Sequence, residues 1–145
     1  MLQQLSLFLE NRPGQLRAPC QALAAAGIDI LTLSLADTAQ FGILRLIVRD
    51  PARAREVLEA AGMVVNATEV VAVEVEDRPG GLAAVLEHVE GAGLSVEYMY
   101  AFAVSPGAGK AALVFRFERQ GEALELLRKR GARLLGPEEL LALRG

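Results

Sequence analysis

Asn11 and Asp77 stand at the same place in two copies of one short passage. Glu10-Asn11-Arg12-Pro13-Gly14-Gln15-Leu16 returns, displaced by 66 positions, as Glu76-Asp77-Arg78-Pro79-Gly80-Gly81-Leu82. Each passage puts a small acceptor side chain after an alternating apolar stretch, then Pro-Gly, then the start of a helical pattern. A helix start presents unpaired backbone N–H groups and the positive end of the helix dipole, which suits a small carboxylate. Glycine at positions 14 and 80 lets a ligand approach that backbone with no Cβ in the way. After each helix the next strand opens with Asp29 in copy one and Ser95 in copy two. Each copy thus carries one carboxylate, Asp29 or Asp77, able to pair with one ammonium. Main-chain amides for a carboxylate plus one acid for an ammonium describe a site for a free amino acid. The plainer alternative is that Pro-Gly only makes a tight turn, with Asn11 and Asp77 capping a helix.

Catalysis has less to work with. His88, the one histidine, lies off the Leu82/Leu86/Val89 stripe and is expected to face solvent. Cys20, the one cysteine, falls on an apolar stripe and is expected as a small core residue. Alone it forms no internal disulfide, which makes a cytoplasmic location the default. No His/Cys/Asp cluster has metal-ligand spacing and no phosphate-binding glycine loop is present, so neither metal nor cofactor is expected. Glu97 with Tyr98 is the least implausible acid–base pair for an enzyme. Without a nucleophile–base pair, a non-catalytic protein is the expectation.

Bulk properties narrow the partners. The chain has 145 residues, 52% hydrophobic and 23% charged, a balance that excludes disorder. A net charge of −3 with both signs interspersed leaves no footprint for a phosphate backbone, so nucleic acid is not expected as a partner. No apolar run approaches the roughly 18 residues of a membrane span, and no signal segment opens the chain.

The elements that hold these residues are repeated too. Gln3 to Leu9 alternates at Leu5, Leu7 and Leu9, as a first strand does. A helix follows with Leu16, Cys20 and Leu23 at one-turn spacing and Gly27 at its end; starting it near Leu16 puts Pro19 in the first turn, where its missing N–H is harmless. The second copy shows Leu82, Val85, Leu86 and Val89, then Gly93. Ile28–Ala36 and Gly42–Arg49 are predicted strands, joined around Thr38-Ala39-Gln40. Asp50-Pro51 starts a second helix as N-cap and first helical residue, with Ala54, Val57, Leu58 and Ala61 as its stripe. Val64-Val65 is expected to begin a fourth strand. Copy two keeps this order with three extra residues near Ser105-Pro106-Gly107-Ala108-Gly109, after which the displacement is 69: Ala54, Val57, Leu58 and Gly62 match Ala123, Leu126, Leu127 and Gly131. The segment 138–143 fits either a helical turn or a closing strand.

Strand, helix, strand, strand, helix, strand, twice over, is the ferredoxin-like βαββαβ arrangement. The expected class is α+β, with two domains, 1–68 and 69–145, each an antiparallel sheet with both helices on one face. In the second strand, simple alternation puts Leu33 and Leu35 on one face and Ile28 and Ile30 on the other. In copy two it puts Val96, Tyr98, Tyr100 and Phe102 together, opposite Met99 and Ala101. A solvated face should be polar, so this apolar one is expected to be covered by the other copy or another chain.

These passages resemble the ACT domain family, small βαββαβ modules that bind amino acids and regulate metabolic enzymes. The resemblance rests on residues 10–16, on Ala26-Gly27-Ile28-Asp29-Ile30 and Phe41-Gly42-Ile43-Leu44-Arg45, and on residues 77–82 and Ala92-Gly93-Leu94-Ser95-Val96. It implies a tandem, free-standing ACT protein holding its ligand at an inter-domain contact. The implied ligand residues are Asn11, Arg12, Pro13, Gly14, Leu16 and Asp29 in copy one, and Asp77, Arg78, Pro79, Gly80, Leu82 and Ser95 in copy two. The family's serine-regulated dehydrogenases carry a histidine two residues before the turn asparagine, where this chain has Leu9 and Val75. The resemblance therefore implies the site without implying serine. It also leaves room for a protein–protein module, a detached regulatory subunit of an amino-acid biosynthetic enzyme. A two-fold homodimer is the base-rate assembly.

Overall fold

The computed structural model describes residues 2–37, 39–102, 104 and 107–144; Thr38 in the first predicted connection and Ser105-Pro106 in the longer one lie outside the described residues. The chain forms two compact units, Gln3–Thr68 and, with Met1–Leu2, Glu69–Gly145.

In the first unit β1 (Leu2–Glu10), β2 (Ile30–Asp37) and β3 (Phe41–Val48) pair antiparallel in the order β2-β3-β1. Leu5, Leu7 and Leu9 stand opposite Leu46, Leu44 and Gly42, and directly opposed residues share a face. The alternation of β1 therefore delivers its leucines to one side. There they bury with Leu23 of α1 (Arg17–Ala25) and with Ala54 and Leu58 of α2 (Pro51–Ala60). Each leucine fully removed from water contributes about 1.5–3 kcal/mol, so this layer holds the unit together.

Both helix starts in this unit have local causes. Asp50 accepts a hydrogen bond from the Arg53 N–H at 3.2 Å and Pro51 follows it in the first turn. Asp50→Ala should lower stability by about 1 kcal/mol, read as a shifted urea midpoint at unchanged slope. The first helix starts at Arg17, and Pro19 lies in its first turn as required. Its stripe is rotated from the expected one: Pro19 and Leu23 are buried, Leu16 is exposed and Cys20 is only half-buried. Leu16 precedes the helix proper, and the proline ring takes the inward position beside it.

The second unit is built the same way. In it β4 (Asn66–Glu76), whose first three residues fall in the first unit, β5 (Val96–Phe102), β6 (Lys110–Phe117) and β7 (Arg133–Leu135) pair antiparallel in the order β7-β4-β6-β5. Val85 and Val89 of α3 (Gly81–Gly91) and Ala123 and Leu127 of α4 (Gln120–Lys129) pack on Val71, Val73, Leu113, Phe115 and Phe117. The Phe115 and Phe117 rings stack with centroids 5.3 Å apart. The strand expected from Val64-Val65 begins instead at Asn66 and continues unbroken to Glu76; Val64 is outside it and 81% exposed. The segment 138–143 is helical, within α5 (Pro137–Arg144), and the closing strand is the three-residue β7 just before it. No helix among the described residues is long and apolar enough to cross a membrane.

One irregularity recurs in both copies. Ile30 pairs with Val48 but Thr32 pairs with Ile47, and Val96 pairs with Phe117 but Tyr98 pairs with Arg116. Each second strand therefore holds one extra residue, a β-bulge at Leu31 and at Glu97. The bulge corrects the expected faces. Ile30, Leu33 and Leu35 share the helix side, opposite Val48, Leu46 and Leu44. Val96 packs with the helix-side core, while Tyr98, Tyr100 and Phe102 lie on the other face.

Candidate functional site

The first Pro-Gly turn is fixed by main-chain bonds. The Asn11 N–H donates to the Gln40 carbonyl at 2.9 Å, the Arg12 N–H to Glu10 at 2.8 Å and the Gln15 N–H to Arg12 at 3.2 Å. Gly14 takes a φ of +87°, a left-handed conformation that side chains disfavour. Asn11 does not cap the helix. The cap position is Leu16, which supplies no acceptor, and the Asn11 Nδ2 donates across the strand connection to the Ala39 carbonyl at 3.4 Å. Arg12 and Glu10 form an exposed ion pair at 2.6 Å.

Beside this turn opens a pocket of about 80 Å³ lined by Leu9, Glu10, Asn11, Arg12, Gln15, Leu16, Leu35 and Gly42. A single water needs roughly 10–15 Å³ of such space, so the pocket has room for a few heavy atoms. Gly42 lies in the middle strand between Leu9 and the end of β2, where a Cβ would meet the Leu35 Cδ1 at 2.9 Å. Of the residues expected here, Asn11, Arg12 and Leu16 line the pocket, while Pro13 and Gly14 shape the turn without lining it. Glu10, Gln15, Leu35 and Gly42 were not among them. The pairing of Leu9 with Gly42 and of Leu35 with Leu44 brings the two leucines together, and that pairing is a tertiary fact which local spacing does not encode.

The second turn is similar in backbone and different in charge. The Asp77 N–H donates to Gly109 at 3.0 Å and the Gly81 N–H to Arg78 at 3.1 Å. Gly80 is the cap of α3, with φ +91° and no side-chain acceptor on the helix, so Asp77 does not cap it either. Leu82 is exposed while Gly81, Val85 and Val89 bury. Glu76 pairs with Lys110, its partner across the sheet. That hydrogen bond and the nearby positive charge hold its carboxyl below its usual 4.5. The pair's small contribution is present above that value and fades as pH falls through the lowered one. In the first unit Phe41 occupies the place of Lys110, and Glu10 turns to Arg12 instead. Arg78 makes no ion pair among the described residues.

Asp29 and Ser95 lie elsewhere. The Arg49 N–H donates to the Asp29 carbonyl at 3.3 Å and the Glu118 N–H to the Ser95 carbonyl at 3.0 Å. Both therefore sit beside the far ends of β3 and β6, whereas Asn11 and Asp77 sit beside the near ends. Seven steps of about 3.3 Å put roughly 23 Å between those ends. Asp29 lines a separate cleft with Arg49, Asp50 and Arg53. One copy therefore does not bring its own turn and its own strand-two residue together around one small ligand.

One further expectation changes. His88 is half-buried because it follows Val85 by three positions and flanks the buried row. Glu97 is engaged by Arg116 at 3.5 Å.

A family model described as an ACT domain pair matches residues 1–143. Protein BT0572 from Bacteroides thetaiotaomicron is 37% identical, with 96% of this chain and 94% of that one covered and a TM-score of 0.89. The regulatory subunit of aspartate kinase from Thermus thermophilus shares the fold at 18% identity, with 88% and 91% covered and a TM-score of 0.62. The corresponding subunit from Thermus flavus does so at 18% identity, 88% and 90% covered, TM-score 0.57. No curated protein matches the chain. The repeated βαββαβ units and the family match over nearly the whole length agree: the chain belongs to the ACT domain pair family.

Proposed function

We propose that this protein is a non-catalytic, cytoplasmic regulator that binds a small free amino acid at its Pro-Gly turns. The observation that carries the reading is the pocket of about 80 Å³ beside Asn11, Arg12 and Leu16. It combines a fixed polar turn with enough space for a small zwitterion. Asp77, Arg78, Gly80 and Leu82 form the counterpart in copy two. Because Asp29 and Ser95 lie far from the turn of their own copy, their role is to complete a site at an inter-domain contact supplied by a second chain in a homodimer. A ligand held across such a contact stabilises one arrangement of the chains, and that differential affinity is what a regulated enzyme would sense. The fold shared with two aspartate kinase regulatory subunits supports a regulatory role.

Thermal melts with each of the twenty amino acids check this. One or a few should raise the melting temperature, since ligand at a hundred times its Kd adds about 2.7 kcal/mol to stability. Asn11→Ala and Asp77→Ala should abolish the rise. Twenty flat traces, with both variants equally silent, would rule the reading out.

A second reading is favoured by Phe8, 67% exposed, and Val64, 81% exposed, which border a groove with Met63 and Leu9. Large apolar side chains left in water mark protein contacts. On this reading the chain is the detached regulatory subunit of an amino-acid biosynthetic enzyme. It would co-purify with a catalytic chain and respond to no amino acid by itself.

A further inference from the structure

We infer that the pocket of the first unit selects an amino acid with an aliphatic side chain; this rests on the amino-acid reading above and narrows it to a ligand class. Its lining is part polar and part apolar: Asn11, Gln15 and the Glu10–Arg12 ion pair make the polar part, and Leu9, Leu16 and Leu35 the apolar part.

The polar wall matches a zwitterion's head. The Asn11 carboxamide spends an N–H on the Ala39 carbonyl, which turns its oxygen away from that bond to accept from an ammonium. Glu10 and Arg12 stand 2.6 Å apart, so an ammonium can be shared with the first and a carboxylate with the second. Arginine's five donors allow it to keep Glu10 and take a carboxylate as well.

The apolar wall decides the side chain. Leu16 and Leu35 are large hydrophobics left 40% and 45% exposed, and both line this pocket. Gly42 has no Cβ in the middle strand beside Leu9, and the Leu35 side chain fills that space. A ligand methyl group set against Leu16 and Leu35 covers leucine carbon that is otherwise wet, which is favourable in proportion to the area removed from water. A hydroxyl, carboxylate or ammonium pressed against the same three leucines loses water and gains no partner. With the head group taken up by Glu10 and Arg12, neither is left over for a charged side chain.

Titration calorimetry on the full chain with valine, leucine, isoleucine and methionine against serine, aspartate and lysine tests this. The aliphatic ligands should bind at least tenfold tighter than serine. Leu35→Ser, at an exposed edge-strand position, should erase that preference while leaving circular dichroism unchanged. Gly42→Ala puts a methyl group where the Leu35 side chain now sits, displaces it, and should weaken aliphatic ligands in the same order. Serine, aspartate or lysine binding best, or all seven binding alike, overturns the inference and leaves the amino-acid reading standing. No heat from any of the seven, with the melts flat for all twenty and Asn11→Ala equally inert, overturns both.

Discussion

Alanine at position 81 is expected to lower the melting temperature by about 10 °C, an overpacking cost near 3 kcal/mol at about 3 °C per kcal/mol. The cause is steric. A Cβ built on Gly81 would fall 2.2 Å from the Glu76 carbonyl oxygen, inside the contact distance of any real side chain. That oxygen belongs to the end of β4, which is anchored by its sheet partner Lys110, so it has little freedom to retreat. The first turn of α3 must move instead, and with it Asp77 and Arg78. Copy one tolerates Gln15 at the matching position because α1 starts only at Arg17, leaving residue 15 in the turn. Gly121→Ala is the control. It lies in α4 with nothing near its missing Cβ, and alanine there should stabilise by about 0.5 kcal/mol. Equal melting temperatures for the two variants would show that the helix start is not packed as described.

Phe115→Ala should cost more, about 4 kcal/mol. Phe115 is fully buried, stacks on Phe117 at 5.3 Å, and stands opposite Val71 on one neighbouring strand and Met99 on the other. Its removal leaves a cavity in the middle of the sheet that rigid strands on both sides cannot close. A loss of this size is a large part of the 5–15 kcal/mol that stabilises an ordinary protein. Urea unfolding followed by circular dichroism measures it, and a loss below 1 kcal/mol would contradict the packing. Phe115→Leu, which keeps more of the volume, should recover about half.

The strength of the repeat made most of the fold legible in the sequence. The matched Pro-Gly turns, the alternating leucines of β1 and the Asp50-Pro51 helix start are local signals, and each appears where its chemistry placed it. What was not legible depended on pairing. The alternation rule counts residues along one strand and has no means of seeing that its neighbour is one residue shorter, so the bulges at Leu31 and Glu97 reversed the assigned faces. β7 is three residues long, too short to show a period. Gln4 is completely buried on β1, and a polar residue there carries no local mark of burial. The candidate site divides in the same way. Asn11 and Arg12 were found by their motif, whereas Leu35 and Gly42 join them only through the sheet.

The bulges also set where these domains can change length. Losing one codon elsewhere in β2 or β5 would swap inside for outside along part of the strand. Losing the codon for residue 31 or 97 would restore plain alternation and keep the remaining side chains on their own sides. In each second strand, that position is where evolution or an engineer can shorten the gene without rewriting the domain.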